Sequence, residues 1–194
     1  MWPLIVVAVV STVAYFGWKL TFRNAYESAS YVVVESDGPY QIREYPDLVL
    51  ASTPMNRERR DDGSFMRLFQ YISGRNIPEQ KVAMTVPVFM ERGDPSSGGS
   101  MGFVMPEEVA LQGAPVPADE RVEVRRRAAG RFAVVRFSGS ADESTYQARE
   151  VALREWMTQR GLESSGVSEA AGYDPPWTPA PFRRNEVLIR IESS

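Results

Sequence analysis

The fold is decided by residues 121–161, RVEVRRRAAGRFAVVRFSGSADESTYQAREVALREWMTQRG, where the hydrophobic period changes once. Residues 121–139 are typical of a strand, a tight turn at Gly130 and a second strand. Residues 140–161 change to a helical period, and Gly161 provides a stop. The segment therefore predicts a hairpin followed by a helix, whose apolar stripe is predicted to be Tyr146, Leu153, Trp156 and Met157.

The same order of elements is predicted in the first half of the chain. Strand-like runs in residues 31–52 precede a helix whose apolar stripe is Phe65, Leu68, Phe69 and Ile72, at i, i+3, i+4 and i+7. Two strands, KVAMTVPVFM (81–90) and MGFVMP (101–106), follow that helix. GVSEAAGYD (166–174) and NEVLIRIE (185–192) follow the second helix in the same way. The order strand, strand, helix, strand, strand is thus predicted twice.

These two half-repeats, about residues 31–106 and 121–192, predict an α+β fold. We expect a distorted antiparallel β-barrel from two ββαββ-type pseudo-repeats, with two flanking helices. The Pro-rich residues 106–120 are predicted to be the linker between the halves, and residues 24–30 a polar tether.

The N-terminus predicts a membrane anchor. Residues 1–18 carry no charged side chain, and as a helix they would span about 27 Å, close to the hydrocarbon core of a bilayer. An uncleaved transmembrane helix over residues 1–23 is favoured over a cleaved signal peptide, which would have a basic start. Lys19 and Arg23 favour a single-pass membrane protein with a cytoplasmic domain, and an exported domain is the alternative.

Composition excludes several classes of site. The chain has no cysteine and no histidine, which excludes thiolate nucleophiles, Ser–His–Asp triads and His- or Cys-ligated metals. Neither catalytic residues nor a metal site are predicted. The formal net charge of −3 gives no general attraction for nucleic acid, so no nucleic-acid partner is predicted.

Five segments of the amino-acid sequence resemble a known protein family. YQIREYPDLVLA, FMRLFQYISGRN, KVAMTVPV, MGFVMP and GYDPPWTPAPFRRNEV resemble, in this order, the SOUL haem-binding protein family. The resemblance covers about residues 31–191 and identifies residues 31–194 as a SOUL-like domain. It implies the two-repeat barrel, and it is similar to the effector-binding domains of some bacterial transcription regulators.

The resemblance also implies a ligand and a site. Members of the family bind haem and other tetrapyrroles, on an apolar patch of the first helix that faces the loop before the last strand. Because histidine is absent, a tetrapyrrole here would be held by apolar stacking, with Met, Tyr or Lys as the remaining candidate ligands. The cofactor-binding residues that follow from the resemblance are Phe65, Met66, Leu68, Phe69, Ile72, Arg75, Pro176, Trp177, Thr178 and Arg183.

Three functions follow from these expectations. The first is a membrane-anchored, non-enzymatic carrier or buffer for haem or a related tetrapyrrole, and the second is a binding module for another small apolar ligand. The third is a hydrolase that acts on such a ligand through a buried carboxylate, for which Glu44 and Glu186 are candidates. Trp177, in the Pro-rich loop, is predicted as a lid on the core, a lip of the ligand site or part of a docking motif.

Overall fold

The computed structural model describes residues 26–56, 62–93, 98–175 and 177–192, which form strands, helices and one 3-10 turn. The strands are β1 Glu27–Ser28, β2 Val32–Asp37, β3 Tyr40–Tyr45, β4 Leu48–Pro54, β5 Thr85–Val86, β6 Val88–Glu91, β7 Ser100–Val104, β8 Glu123–Arg127, β9 Gly130–Phe137, β10 Ser164–Gly172 and β11 Asn185–Ile191. The helices are α1 Ser64–Ile72, α2 Glu107–Gln112 and α3 Glu143–Gln159, and the 3-10 turn is Ala180–Phe182.

The strand order relates the two halves of the chain by an approximate twofold pattern. Nine strands form one antiparallel sheet in the order β2-β3-β9-β11-β10-β6-β7-β4-β8, and β1 pairs with β5 in a separate parallel pair. Between β3 and β8, the elements β3, β4, β6 and β7 of the first half correspond in position to β8, β9, β10 and β11 of the second. The pair β10–β6 therefore lies at the centre of the pattern, where the two halves meet.

One face of the sheet is strongly concave. Tyr45 of β3, Phe89 of β6 and Phe132 of β9 share one buried cluster with residues from four further strands of this sheet and with Val86 of β5. The guanidinium of Arg127, in the last strand of the order, lies 5.0 Å from the ring centroid of Tyr45, in the second strand. Strands from opposite ends of the sheet thus meet on this face, which forms one part of the core.

The helices cover the other face. α3 packs its four buried residues on a cluster that contains Val187 and Ile189 of β11, whereas Leu188 between them faces the concave side. This alternation is the period of two expected for a strand buried on both faces. α1 covers a second outer cluster, in which Leu68 and Ile72 pack with Ala51 and Phe103.

The predicted fold is wrong in its closure, and a third short helix accompanies the two flanking helices that were predicted. The described strands form a half-barrel sheet, because no ladder joins the edge strands β2 and β8. Alternation along a strand predicts which face is buried, but closure depends on the tilt and stagger of all strands together. In addition, the predicted linker, residues 106–120, contains α2, and the predicted tether, residues 24–30, contains β1.

The predicted membrane location is also corrected. The predicted transmembrane helix, residues 1–23, lies outside the described residues, and no helix within the described ranges is long and apolar enough to cross a membrane. The longest of them, α3, has 17 residues, and only Tyr146, Leu153, Trp156 and Met157 among these are buried. The rest of its surface is largely polar, as in a helix that packs on a sheet.

Candidate functional site

A cleft lies on the helical face, at the centre of the approximate twofold pattern. It has a volume of about 570 Å³ and lies between the first turns of α1 and α3, above β10, β6 and β7. We call it the central cleft. Its lining comprises residues from the end of β4 and the start of α1, from the three strands, from the start of α3, and Arg183 before β11: Met55, Asn56, Asp62, Ser64, Phe65, Met90, Arg92, Met101, Ser140, Ala141, Asp142, Glu143, Tyr146, Ala170 and Arg183.

The floor of the central cleft is a row of three cross-strand neighbours. Ala170 of β10 pairs with Met90 of β6, and Met90 pairs with Met101 of β7. Residues directly opposite each other in a sheet point to the same face, so the two sulfur-containing side chains lie side by side. Ala170 has only a methyl group, which leaves depth next to Met90. The floor is therefore apolar, polarisable and adaptable.

Aromatic side chains stand on both sides of this floor. On α1, Phe65 stacks on Phe69 at 6.3 Å between ring centroids and packs its edge on Phe103 at 5.3 Å. On α3, Tyr146 packs edge-to-face on Phe137 at 5.6 Å. The Tyr146 hydroxyl is buried and has no hydrogen-bond partner in the described part of the chain. Burial raises the pKa of Tyr146 to about 12, so its phenol is neutral at physiological pH.

The charged groups of the central cleft are tied to the helix starts. Asp142 is the N-cap of α3 and accepts a hydrogen bond from the Thr145 amide at 2.9 Å, which holds the pKa of Asp142 well below its usual range. Burial pushes the pKa of Asp62 upward, but hydrogen bonds from Ser64 and Asn56 outweigh it and lower the net pKa.

Two arginines also line the cleft. Arg92 forms an ion pair with Glu143, and its guanidinium lies 5.5 Å from the ring centroid of Tyr146. The Nε of Arg183 donates a hydrogen bond of 2.7 Å to the carbonyl oxygen of Thr178. The cleft thus carries both signs of charge around an apolar floor.

The structure places the sequence-predicted binding residues in different surroundings. Phe65 and Arg183 line the central cleft, and Met66 and Phe69 are exposed on α1. Leu68 and Ile72 are buried in the cluster beneath α1. Arg75 donates to Gln70 Oε1 at 3.0 Å and lines a separate pocket of about 180 Å³.

The predicted loop residues also separate. Trp177 is 64% exposed, and Thr178 is buried, with its amide bonded to the Pro175 carbonyl at 3.0 Å. Pro176 lies outside the described residues. The prediction that these residues contact a ligand stays a prediction.

Sequence reasoning missed most of the cleft lining. Met90 and Met101 were recognisable only as methionines on neighbouring strands, and Tyr146 only as part of a helical stripe. No feature of the sequence pointed to Ala170 or Arg92 as site residues. The cross-strand register brings these residues together, and hydrophobic periodicity does not determine register between distant strands.

Of the two candidate catalytic carboxylates, only Glu186 is buried. Arg43 donates to both of its oxygens, at 2.8 and 3.0 Å, and both side chains are fully buried. Arg184 donates to Oε1 at 2.6 Å, and the Tyr173 hydroxyl donates to Oε2 at 2.9 Å. Glu44 is exposed and lies 3.6 Å from Arg131. The arrangement around Glu186 is that of a structural ion-pair network, which does not line the central cleft.

Two tyrosine-to-phenylalanine substitutions should have opposite effects on stability. Tyr146→Phe removes a buried hydroxyl without a partner and should raise the free energy of unfolding by about 1 kcal/mol. Tyr173→Phe removes a hydrogen bond to the Glu186 carboxylate and should lower it by about 1.5–3 kcal/mol. Urea unfolding followed by circular dichroism measures both. A destabilised Tyr146→Phe would mean that the hydroxyl has a partner, such as an ordered water.

Comparisons with known proteins agree on one family. The profile of the SOUL heme-binding protein family matches residues 26–190. Heme-binding protein 1 of Sus scrofa is 27% identical over 178 residues, 89% of each chain. Heme-binding protein 1 of Xenopus laevis is 28% identical over 163 residues, 79% of this chain and 84% of that protein.

Solved structures share the fold at low sequence identity. The C-terminal domain of EcmrR has a TM-score of 0.55 at 12% identity and covers 80% of this chain and 98% of that one. A hydrolase from Listeria innocua has a TM-score of 0.54 at 10% identity, over 82% of this chain and 94% of its own. These two likenesses concern the fold alone. The family profile covers most of the chain, and the chain therefore belongs to the SOUL haem-binding protein family.

Proposed function

We propose that this chain binds haem or a related tetrapyrrole non-covalently in the central cleft, and that it acts as a carrier or buffer without catalysis. Family membership and the relatives named Heme-binding protein 1 support the ligand class. The observation that carries the proposal is the apolar floor of Ala170, Met90 and Met101 between the aromatic side chains of Phe65 and Tyr146. A flat apolar ring system is the ligand shape that suits such a floor.

The chemistry of the central cleft fits this ligand class. Its volume of about 570 Å³ lies within the range of small-molecule sites, roughly 300–1,000 Å³. Phe65 offers a partly exposed ring for stacking, and Arg92 and Arg183 would attract the carboxylates of a tetrapyrrole. When bound, haem would supply its iron and its conjugated ring. The chain has no histidine and no cysteine, so neither can hold that iron.

Phe65→Ala should weaken haem binding about tenfold. The substitution removes the aromatic surface that stacks on the ligand, and tenfold corresponds to about 1.4 kcal/mol, within the usual range for aromatic pairs. Hemin is titrated into the full chain, and the Soret band gives the dissociation constant. Val151→Ala is the control, because Val151 is an exposed apolar residue of α3 that does not line the central cleft.

Two outcomes would count against this proposal. If hemin produces no saturable Soret change beyond that of buffer with detergent, haem binding is not a property of this chain. If hemin binds with equal affinity to the parent, Phe65→Ala and Val151→Ala, the ligand lies elsewhere on the molecule. Equal binding of iron-free protoporphyrin IX and hemin would extend the proposal to tetrapyrroles without a metal.

A second candidate is a binding module for another small apolar ligand. The observation that favours it is the presence of three carboxylates, Asp62, Asp142 and Glu143, in a cleft with two arginines. This balance suits a guest without acid groups better than one with two carboxylates. A neutral apolar dye distinguishes the candidates. Displacement of the dye by hemin supports the tetrapyrrole, and a bound dye that hemin does not displace supports the second candidate.

A further inference from the structure

We propose that the sulfur of Met90 is the protein ligand to the iron of haem held in the central cleft. The inference rests on the proposed function, because it concerns the same cleft. The chain has no histidine and no cysteine, so a side chain that coordinates the iron is of another residue type, and the inference assigns this role to one methionine.

The position of Met90 is the first argument. Met90 is the middle member of the floor, between Ala170 and Met101, and it belongs to β6 at the meeting point of the two halves. Its side chain is half-buried, which leaves part of it accessible from the cleft. A flat ligand that enters between Phe65 and Tyr146 meets this row from above. Met90 is thus the middle residue of the floor rather than one of its two ends.

The second argument is that other donor atoms of the cleft already take part in hydrogen bonds. The Ser64 hydroxyl already donates to the Met101 sulfur at 3.7 Å, whereas the Met90 sulfur has no hydrogen bond among the residues that the structure describes. Asp62 and Asp142 accept hydrogen bonds from backbone amides at the helix starts. These carboxylates would have to give up those bonds to coordinate iron.

Met55, the third thioether of the lining, follows the end of β4 and is not part of the floor row. The other charged and phenolic donors are also less suited. Glu143 is paired with Arg92. The Tyr146 oxygen is buried, and its phenol is neutral. Coordination through Tyr146 would replace the O–H bond by an O–Fe bond and release the proton to solvent. Met90 needs no such exchange, because a thioether has no proton to lose.

Coordination by a thioether should affect haem affinity in a way that can be measured. Sulfur of this type is a soft donor and favours the reduced iron, as methionine does in cytochromes. Met90 should therefore hold ferrous haem more tightly than ferric haem. Since no proton is released, the ferrous affinity should be the same at pH 6 and pH 8. A phenolate ligand from Tyr146 would instead make binding tighter as the pH rises.

Met90→Leu tests the assignment, because leucine keeps nearly the same apolar volume. We expect the full-length variant to bind ferrous haem at least tenfold more weakly than the parent and with a shifted Soret maximum. A tenfold loss confined to the ferrous form lowers the midpoint potential by about 59 mV for one electron. Met84→Leu is the control, since Met84 packs in the cluster beneath α1 and does not line the cleft.

Iron-free protoporphyrin IX separates coordination from packing. Met90→Leu should bind it as the parent does, and an equal loss for porphyrin and ferrous haem would overturn the assignment of Met90 as a ligand. Unchanged ferrous spectra and potentials in Met90→Leu would overturn the assignment while haem binding itself stands. A parent chain that binds no haem in either oxidation state would overturn both proposals.

Discussion

Glu186→Gln should lower the free energy of unfolding by about 3–5 kcal/mol, because it removes one partner of a fully buried ion pair. Glu186 and Arg43 are both inaccessible to solvent, and the two hydrogen bonds between them measure 2.8 and 3.0 Å. Glutamine keeps the shape but not the charge. Arg43 would then remain buried and charged, with no carboxylate among its described contacts. An unpaired buried charge strongly destabilises the folded state.

Urea unfolding measures this effect, and Glu44→Gln is the matched control. Glu44 is the other acidic residue proposed from sequence as a buried carboxylate, but its side chain is 54% exposed and lies 3.6 Å from Arg131. Its substitution should change the free energy of unfolding by less than about 0.5 kcal/mol. Equal effects of the two substitutions would show that burial of the Glu186–Arg43 pair does not determine its contribution.

The Glu186 carboxylate should also make the free energy of unfolding depend on pH. Burial pushes the pKa of Glu186 upward, but the hydrogen bond and charge of Arg43, together with Arg184, outweigh it and lower the net pKa. A carboxylate with a lowered folded-state pKa contributes stability above its unfolded pKa of 4.5, and loses it as the pH falls through the folded value. The parent should therefore lose stability below about pH 5 more steeply than Glu186→Gln. Parallel curves from pH 7 to pH 3 would contradict this coupling.

The sequence predicted helices well where only one face of the helix is buried. The four residues predicted as the stripe of α3, Tyr146, Leu153, Trp156 and Met157, are its buried residues, so this prediction is confirmed. In α1 the predicted stripe is only half right, since Leu68 and Ile72 are buried but Phe65 and Phe69 are partly exposed. Ser64 and Tyr71 are buried instead. α1 has apolar residues on more than one side, and periodicity alone does not distinguish the side that faces the sheet from a side available to a ligand.

The central cleft and the ion-pair network could not be predicted for a different reason. Both consist of residues from strands that are distant in sequence, such as Met90 with Ala170, or Arg43 with Glu186, which are 143 positions apart. Their proximity follows from which strand pairs with which and in what register. That information lies in the packing of the two halves against each other rather than in the pattern of any one segment.

Leu68→Ala should lower the free energy of unfolding by about 2–5 kcal/mol, the usual cost of a cavity at a fully buried leucine. Leu68 is 0% exposed and packs in the cluster beneath α1 with Ala51, Phe103 and Tyr71. Met66 is a residue of the same helix with 53% exposure, and Met66→Ala should change stability by less than about 0.5 kcal/mol. Urea unfolding of both variants tests the difference.

The comparison also separates the two roles that α1 combines, since the family resemblance implies a ligand contact for both Leu68 and Met66. Haem affinity is measured for both variants at a temperature where each remains folded. If Leu68 acts through the core, Leu68→Ala loses stability and its affinity changes only as far as the helix shifts. A Leu68→Ala variant with parental stability and a much weaker haem affinity would instead place Leu68 at the ligand. In that case α1 would have to turn its buried face toward the cleft on binding, and the cluster with Phe103 and Ala51 would have to open.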